Sequence, residues 1–376
     1  MAKMGRAAVW KGAHSKFDIR EYPLPDLESG AVLVKIAMSN ICGTELHLYR
    51  GDIDVRKLGV EPRESIGGHE MAGRVYALGK EKKTDSLGRP LKEGDRIIYQ
   101  YFQPCGQCYY CLTNATNSCP NFMRRYTLGQ WPYFTGGFAE YYYMTPGRQA
   151  FKVMDDRIPD SLLASVNCAF SEVAQGLHRI NLRPGQSIVL QGVGGLGLFA
   201  TALAKERGAS PIIAIDGIAA RLRLAREFGA DVTININEVK TPEERIAKVR
   251  ELTGGLGADA VAELVGFPSV VNEGLAMVRR HGTYLEIGNI NPGMTFELDP
   301  SVLIRGNLTV IGVDRYEAQM IPWVLDFLSR NLTKYPFEKI VSHTFPLEKI
   351  QDAFTLAEWK GKAVDEAKIA RVGIVP

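Results

Sequence analysis

Residues 187–197 read SIVLQGVGGLG, a short apolar run that ends in a glycine-rich turn. Further short apolar runs follow it, and segments of helical character separate them. Strands that alternate with helices are typical of a parallel sheet that helices cover on both faces. The pattern therefore predicts an α/β domain with a doubly wound parallel sheet. Its predicted strands are residues 187–191, 211–216, 232–236, 258–264 and 282–287.

The glycine-rich turn has the spacing Gly192-x-Gly194-x-x-Gly197 and opens a predicted helix. These glycines permit a tight turn, the close approach of a pyrophosphate, and tight contact between the helix and the strand. Asp216 ends the next predicted strand, where a carboxylate accepts hydrogen bonds from an adenosine ribose and repels a 2′-phosphate. This order of elements indicates a Rossmann-type dinucleotide site and favours NAD over NADP.

Basic residues modify this expectation. No basic residue lies at positions 217–220. Arg221, however, is one helical turn beyond Asp216 and could reach the ribose. The exclusion of NADP by Asp216 is therefore expected to be incomplete if Arg221 does so. Arg371 is a further candidate contact. The predicted cofactor-binding residues are Gly192, Gly194, Gly195, Leu196, Gly197, Asp216, Arg221 and Arg371.

Four of the six cysteines form a second motif, with the spacing Cys105-x2-Cys108-x2-Cys111-x7-Cys119. Neighbouring cysteines this close are poor partners for structural disulfides, whereas four thiolates in one loop can enclose a tetrahedral zinc ion. Four protein ligands leave no open coordination position, so the predicted zinc is structural. Metal-ligating thiols also favour a reducing, cytoplasmic compartment.

Composition narrows the class of protein. The 376 residues are 45% hydrophobic and 23% charged, which is typical of a folded globular chain. A net charge of +3 supplies no electrostatic case for nucleic acid or an anionic membrane as a partner. The sequence shows neither the apolar segment of a secretory signal nor a run of about 18 uncharged apolar residues, so no transmembrane helix is expected.

The regions on either side of the predicted parallel sheet differ from it. Residues 1–150 are rich in glycine, proline and β-prone runs, which predicts an irregular β-rich domain. The β-prone runs are residues 31–38, 96–102 and 138–144. In the C-terminal part, residues 308–313 and 369–375 are predicted strands, and residues 318–329 and 347–359 are predicted helices.

Three dispersed residues, Cys42, His69 and Cys168, form a third candidate set. Spacing alone leaves two interpretations open. A single cysteine is usually a small buried apolar residue, and a single histidine is usually structural. Alternatively, the three share a metal ion, and the fourth coordination position is left to water or substrate.

Together these motifs resemble the zinc-dependent alcohol dehydrogenases of the medium-chain dehydrogenase/reductase superfamily. Residues 42–47 (CGTELH) are similar to the family's Cys-Gly-Thr-Asp-x-His, and residues 68–73 (GHEMAG) to its Gly-His-Glu-x2-Gly. The cysteine loop and the glycine turn follow in the family's order. The resemblance implies a β-rich GroES-like catalytic domain that carries the structural zinc loop. Its implied extent is residues 1–165 and 313–376, with an NAD-binding Rossmann domain at 166–312.

The resemblance also implies a catalytic zinc on Cys42, His69 and Cys168. Glu70 would be a transient fourth ligand. The third ligand varies within the family, and Glu172 competes with Cys168 for that role. With the structural site, this makes two zinc ions per chain.

The implied reaction is hydride transfer between NAD and an alcohol/carbonyl pair through a zinc-bound alkoxide. Thr44 and His47 would relay the proton to solvent. One departure from the family is Glu45, which stands where an aspartate usually orients His69 and is longer by one methylene group.

The substrate is a small alcohol, aldehyde or ketone. The alternative within the family is a polyol or amino-alcohol dehydrogenase of the sorbitol or threonine type. Tyr101 would lie near the zinc, and Trp131, Tyr133 and Phe134 would form either an aromatic pocket wall or packing within the lobe.

Two other classes are disfavoured, and assembly is predicted from the resemblance. Zinc-free enone reductases and non-enzymatic relatives lack the zinc ligands, all of which are present here. A zinc-finger-like nucleic-acid binder would need a basic face beside the cysteine loop. The segment between Cys119 and Phe138 is shorter than in dimeric animal-type relatives, so a homotetramer is expected rather than a dimer.

Overall fold

The computed structural model of the chain describes residues 3–53, 56, 63–122, 128–358 and 371–376. Its strands are β1 (Met4–Trp10), β2 (Asp18–Pro23), β3 (Val32–Asn40), β4 (Ser65–Ile66), β5 (Glu70–Leu78), β6 (Arg96–Tyr99), β7 (Tyr141–Met144), β8 (Ala150–Lys152), β9 (Ile188–Gln191), β10 (Ile212–Asp216), β11 (Val232–Asn235), β12 (Ala258–Glu263), β13 (Val278–Glu286), β14 (Thr309–Gly312), β15 (Val341–Pro346) and β16 (Arg371–Val375).

Helices connect most of these strands. They are α1 (Gly43–Arg50), α2 (Tyr109–Leu112), α3 (Asp160–Ser165), α4 (Ser171–Arg179), α5 (Gly195–Glu206), α6 (Ala219–Glu227), α7 (Pro242–Leu252), α8 (Val271–Met277), α9 (Ser301–Gly306), α10 (Met320–Asn331) and α11 (Ile350–Ala357). A π-helical segment, Val166–Phe170, joins α3 to α4.

The second half of the chain forms a parallel sheet with the strand order β11-β10-β9-β12-β13-β14. The chain enters at β9 in the centre, proceeds to one edge, and then returns to β12 on the other side of β9. In such sheets, ligands bind beyond the carboxyl ends of the strands where the order reverses. Gly192 directly follows β9 and therefore lies at this position.

Both faces of this sheet are buried, as the short apolar strands predict. Ile188 and Leu190 pack into one apolar cluster with residues of α4, α5 and α10, whereas Val189 packs into a second cluster with residues of α7 and α8. Successive side chains of a strand point to opposite faces. The predicted doubly wound α/β architecture is thus confirmed.

The first part of the chain forms a mostly antiparallel sheet with the order β15-β16-β3-β5-β6-β8, and β7 also pairs with β3. Strands β1, β2 and β4 form a small separate sheet. Because β15 and β16 lie late in the sequence, the chain returns to this sheet after it has completed the parallel one. The domain boundaries at residues 165 and 313 remain a prediction.

Sequence patterns located most elements but not all of their ends. The predicted helix 347–359 is a short 3₁₀ turn followed by α11, and residue 359 lies outside the described residues. The predicted strand 369–375 is found as β16 over its described part. Strand β13 begins at Val278, earlier than predicted, because glycine and charged residues conceal its apolar pattern. Among the described residues, no helix is long and apolar enough to span a bilayer.

Candidate metal centres and dinucleotide site

The cysteine loop brings four sulfur atoms together. The Sγ atoms of Cys105, Cys108, Cys111 and Cys119 all lie within 4.8 Å of one another. Cys108 Sγ is 3.6 Å from Cys111 Sγ and 3.8 Å from Cys119 Sγ. A tetrahedron with Zn–S bonds of about 2.3 Å has edges of about 3.8 Å. The spacing of the sulfur atoms therefore fits a zinc ion that is bound by four thiolates.

Electrostatics of the loop also suit a metal. A hydrogen bond from the backbone N–H of Gln107 lowers the pKa of Cys105 to about 6. Burial raises the pKa of Cys111 to about 12. Metal binding by the loop would therefore be accompanied by the release of protons.

The cysteine loop is tied to the segment that follows β14. Glu317 accepts hydrogen bonds from Thr116 Oγ1 and from the backbone N–H of Asn117, the latter at 3.2 Å. Tyr316, next to Glu317, is fully buried and donates its hydroxyl to the carbonyl oxygen of Asn167. The loop, the π-helical segment and the end of the parallel sheet thus share a network of hydrogen bonds.

A second cluster unites Cys42, His69 and Cys168, whose ligand atoms lie within 4.8 Å of one another. Cys42 is the N-cap residue of α1, and His69 directly precedes β5. Cys168 lies in the π-helical segment, where His69 Nε2 is 3.2 Å from its Sγ. Two thiols and one imidazole are typical donors to a zinc ion that keeps a fourth position open. The three residues thus fit the implied catalytic metal.

Glu45 orients this cluster. Its Oε1 is 2.5 Å from His69 Nδ1, and its Oε2 accepts a hydrogen bond of 2.9 Å from the backbone N–H of Cys42. Because a carboxylate partner keeps the proton on Nδ1, the Nε2 lone pair is free for a metal. One carboxylate thus contacts both the segment that carries Cys42 and the segment that carries His69.

The surroundings of the cluster favour deprotonation of Cys42 but not of Cys168. A hydrogen bond from the Cys168 thiol lowers the pKa of Cys42, and the same bond raises that of Cys168. Burial opposes a charge on His69, but the Glu45 carboxylate and the Cys42 thiolate raise its pKa above the usual value. Binding of a metal ion by these groups would displace the protons that they hold.

Glu70 connects this cluster to the glycine turn. It is fully buried and accepts a hydrogen bond from Arg371 Nη1. Burial raises the pKa of Glu70 to about 8. The Arg371 guanidinium lies against the N-terminus of α5, where a Cβ atom on Gly195 would be 2.4 Å from Arg371 Nε.

Two buried polar atoms of this pair lack partners. Within the described residues, Glu70 Oε1 and Arg371 Nε have no hydrogen-bond partner. Buried polar groups without partners are uncommon and require an explanation. An anionic pyrophosphate would satisfy the Arg371 nitrogen. A metal ion held by the neighbouring Cys42 and His69 would suit the Glu70 oxygen.

The glycine turn has the geometry that the motif predicts. Gly192 has φ of +89°, a conformation that favours glycine. A Cβ atom on Gly197 would lie 2.1 Å from the carbonyl oxygen of Gly192, so the third glycine is required for close packing. Gly194 is the N-cap residue of α5, and Leu196 lies in its first turn. The turn therefore leaves the helix N-terminus accessible to a phosphate.

Asp216 ends β10 beside this turn. Its Oδ2 accepts a hydrogen bond from Val193 N–H and its Oδ1 accepts one from Ile218 N–H, both 2.9 Å long. Each carboxylate oxygen has a further lone pair for a ribose hydroxyl. Arg221 Nη1 is 3.8 Å from Asp216 Oδ2, and the guanidinium faces Gly194. The two residues thus lie together where the sequence predicts the ribose.

Thr44 and His47 lie on α1 next to Cys42. Thr44 Oγ1 is 3.8 Å from Cys42 Sγ. His47 Nδ1 is 3.1 Å from Asp52 Oδ2 and 2.9 Å from Asn291 Nδ2. Burial lowers the pKa of His47. The imidazole is therefore biased toward the neutral form that accepts a proton.

The predicted aromatic residues separate into two groups. The Tyr101 ring lies 4.7 Å from that of His69, so Tyr101 borders the cluster as predicted. Tyr133 stacks on Tyr22, and Phe134 is buried in the same apolar cluster. Trp131 contacts Tyr143 instead. Trp131, Tyr133 and Phe134 therefore contribute to packing within the β-rich domain and do not form a wall of the substrate pocket.

Glu172 is not part of the three-residue cluster. Its Oε1 accepts a hydrogen bond of 3.0 Å from the backbone N–H of Arg315. The geometry therefore favours Cys168 over Glu172 as the third ligand. Sequence reasoning did not identify Asp52 and Asn291. Asp52 lies close to His47 in the sequence, which is a weak signal that the two interact. Asn291 is 244 residues from His47, and no feature of the sequence indicates their contact.

Comparison with known proteins is consistent with this site. The Zinc-binding dehydrogenase family model matches residues 195–330, and that of the Alcohol dehydrogenase GroES-like domain matches residues 28–155. The L-threonine 3-dehydrogenase of Bacillus subtilis (strain 168) is 30% identical, over 90% of this chain and 91% of its own. The sorbitol dehydrogenase of the same organism is 31% identical, over 94% and 93%.

A solved structure agrees with these sequence matches. An alcohol dehydrogenase from Thermotoga maritima superposes with a TM-score of 0.88 at 28% identity and covers 100% of both chains. The chain therefore belongs to the zinc-dependent alcohol dehydrogenases of the medium-chain dehydrogenase/reductase superfamily. It is an oxidoreductase of the family that contains alcohol, polyol and threonine dehydrogenases.

Cys105→Ser is expected to reduce the zinc content by about one ion per chain and to lower the melting temperature, because metal binding is linked to folding of the loop. Zinc would be measured by atomic emission and stability by calorimetry. Leu112→Ser is the matched control, since Leu112 lies in the same loop and is 72% exposed. Unchanged melting with one zinc ion missing would contradict a stabilising role.

Proposed function

We propose that the protein is an NAD-dependent alcohol dehydrogenase with one catalytic and one structural zinc ion per chain. The observation that carries the proposal is the contact between the two predicted sites. Arg371 pairs with Glu70 beside Cys42 and His69, and it lies against Gly195 in the glycine turn. A metal with an open position and a dinucleotide would therefore lie next to each other, as hydride transfer requires.

Each group supplies one part of the chemistry. When bound, zinc is a Lewis acid that lowers the pKa of an alcohol hydroxyl, and NAD is the hydride acceptor. Cys42, His69 and Cys168 would hold the catalytic zinc, with Glu70 as a transient ligand. Cys105, Cys108, Cys111 and Cys119 would hold the structural ion. The proposed domains are residues 1–165 with 313–376, and residues 166–312.

The protein's own groups would remove the proton. Thr44 lies beside Cys42 and has a hydroxyl that can accept a proton from the substrate and donate its own. His47, in the next turn of α1, is biased toward its neutral form by burial. Asp52 is placed to stabilise the imidazolium that forms. The relay would thus run from the substrate through Thr44 to His47 and then to solvent.

NAD is the proposed cofactor. Asp216 presents a carboxylate at the end of β10, where it would accept hydrogen bonds from the ribose hydroxyls and repel a 2′-phosphate. Arg221 would lie over the adenosine and weaken that repulsion. The proposed substrate is a small alcohol or its carbonyl product.

We also propose a cytoplasmic homotetramer. Strand β14 is the edge of the parallel sheet in the described residues, and Val310 on it is 50% exposed. Ile304, on the preceding helix α9, is 76% exposed. An exposed apolar edge strand is a site for pairing with another chain, and a second copy would pair across a two-fold axis. All six cysteines are free, which suits a reducing compartment.

Cys42→Ser and His69→Ala should each lower kcat/KM by at least about tenfold and release about one zinc ion per chain, because each removes one of three ligands at an open site. The melting temperature should change less than in Cys105→Ser. Steady-state rates and metal analysis check this. Activity near the native level in a variant with verified loss of one zinc ion would exclude the assigned ligands.

Asp216→Ser should narrow or reverse the preference for NAD over NADP, because it removes the repulsion and two ribose contacts. A change of about tenfold in the ratio of kcat/KM values corresponds to about 1.4 kcal/mol. Asp216→Asn retains the size of the side chain and isolates the effect of charge. Efficient use of NADP by the native enzyme would show that Asp216 does not have this role.

Val310→Lys should reduce the assembly to a smaller species, because two like charges would face each other across the proposed edge pairing. Light scattering coupled to size-exclusion chromatography would measure the mass. Leu256→Lys is the control, since Leu256 is also exposed, at 73%, and lies outside this edge. A native protein that is monomeric or dimeric would contradict the proposed tetramer.

A further inference from the structure

Two carbonyl groups of the π-helical segment accept hydrogen bonds from side-chain hydroxyls. A π-helical turn closes i→i+5 hydrogen bonds and therefore interrupts the i→i+4 ladder of the α-helices on either side of it. Ser171 Oγ donates to the carbonyl oxygen of Val166 at 2.6 Å, and the Tyr316 hydroxyl donates to that of Asn167. Tyr316 is 149 positions from Asn167. The backbone directly before Cys168 is thus held by a residue from outside the segment.

The side chain of Asn167 joins the same segment to the strand that follows His69. Its Oδ1 accepts a hydrogen bond of 3.2 Å from the backbone N–H of Met71 in β5. Asn167 is fully buried, so this bond is shielded from water. Cys168, the next residue, has its Sγ 3.2 Å from His69 Nε2. Asn167 therefore links the two elements that carry Cys168 and His69.

The backbone around Tyr316 is itself anchored to α4. The N–H groups of Arg315 and Glu317, on either side of Tyr316, donate to Glu172 Oε1 at 3.0 Å and to Gln175 Oε1 at 3.1 Å. Arg315 has φ of +64°, a left-handed conformation that non-glycine residues keep where the surrounding structure determines it. The position of the Tyr316 hydroxyl is therefore set by contacts on both sides of the residue.

The Tyr316 ring belongs to an aromatic group that borders the metal cluster. It packs edge-on against Phe102, with ring centroids 5.4 Å apart, and lies 6.4 Å from the Tyr101 ring. Tyr101 in turn lies 4.7 Å from the ring of His69. Because the ring and the hydroxyl make separate contacts, a phenylalanine at position 316 would retain the packing and lose only the hydrogen bond to Asn167.

We infer that Tyr316 and Asn167 are positioning residues for the proposed catalytic zinc ion, which hold the π-helical segment so that the Cys168 sulfur lies beside His69. This inference rests on the proposed function. Neither residue is a metal ligand. Tyr316 acts on the carbonyl group before Cys168, and Asn167 acts on the backbone of β5. Groups that orient the ligands of a metal typically change its affinity by about 10-fold to 100-fold.

The test measures zinc binding by the full-length chain in solutions whose free zinc concentration is set by a chelator. The native chain should bind two ions. Tyr316→Phe should lower the affinity for the ion at Cys42, His69 and Cys168 by about tenfold and leave the affinity for the other ion within about twofold. Cys42→Ser and Cys105→Ser identify the two binding steps, because each variant loses a different one.

Tyr335→Phe is the matched control. Tyr335 is 5% exposed and donates its hydroxyl to Glu206 Oε1 at 2.6 Å, but it does not contact the π-helical segment. It should leave both affinities within about twofold. Asn167→Leu removes the acceptor for Met71 N–H and should weaken binding of the same ion as Tyr316→Phe. Thermal unfolding verifies the folding of each variant. The visible spectrum of the cobalt(II)-substituted cluster should change in Tyr316→Phe and not in Tyr335→Phe.

The outcomes separate the inference from the proposed function. Weaker binding of the ion at Cys42, His69 and Cys168 alone, in folded Tyr316→Phe, supports the inference. Unchanged affinities in Tyr316→Phe overturn it, as does an equal weakening of both ions or the same weakening in Tyr335→Phe. If the native chain binds only the ion of the four-cysteine loop, the proposed catalytic zinc fails and the inference fails with it. If it binds two ions and Tyr316→Phe affects neither, the inference alone fails.

Discussion

The carboxylate of Glu45 is the contact on which the candidate catalytic centre depends. It accepts a hydrogen bond from the backbone N–H of Cys42 and contacts Nδ1 of His69. One side chain thereby sets the relative position of the segment before α1 and the segment before β5. Such partners orient a ligating imidazole and select its tautomer. Without this constraint, Cys42 and His69, two of the three proposed ligands, would lose their common orientation.

A second contact joins the metal cluster to the glycine turn. Glu70 and Arg371 form a buried ion pair, and the guanidinium occupies space that a side chain on Gly195 would need. Removal of one partner from a buried pair leaves a charge without compensation and is strongly destabilising. The pair therefore has a structural role whether or not a metal ion or a dinucleotide is bound. It also couples the position of the dinucleotide turn to that of the metal ligands.

The third proposed ligand, Cys168, lies in an irregular helix. Cys168 lies in the π-helical segment between α3 and α4, and such segments frequently occur at functional sites. Phe170 in the same segment stacks on Phe199 of α5, with ring centroids 4.1 Å apart. Packing against the parallel sheet thus fixes the segment that carries Cys168. Glu172 follows in the next turn, where its carboxyl group accepts a hydrogen bond from the backbone N–H of Arg315.

Local patterns in the sequence were sufficient for two parts of this protein. The cysteine loop and the glycine turn each lie in one short stretch, and their spacing restricts the backbone to few conformations. The alternation of apolar strands and helices was likewise sufficient for the parallel sheet. In these cases, the interacting groups are neighbours in the chain, so the pattern contains nearly all of the geometry.

Only the tertiary structure brought the remaining contacts together. Arg371 and Glu70 are 301 residues apart, and Asn291 and His47 are 244 apart. The family resemblance already favoured Cys168 over Glu172 as the proposed third ligand, and the π-helical segment brings the Cys168 sulfur within 4.8 Å of the ligand atoms of Cys42 and His69. Side chains that meet across such separations are positioned by packing of the two sheets and their helices. The sequence by itself determined the chemistry of the donors, whereas three-dimensional packing decided which of them converge.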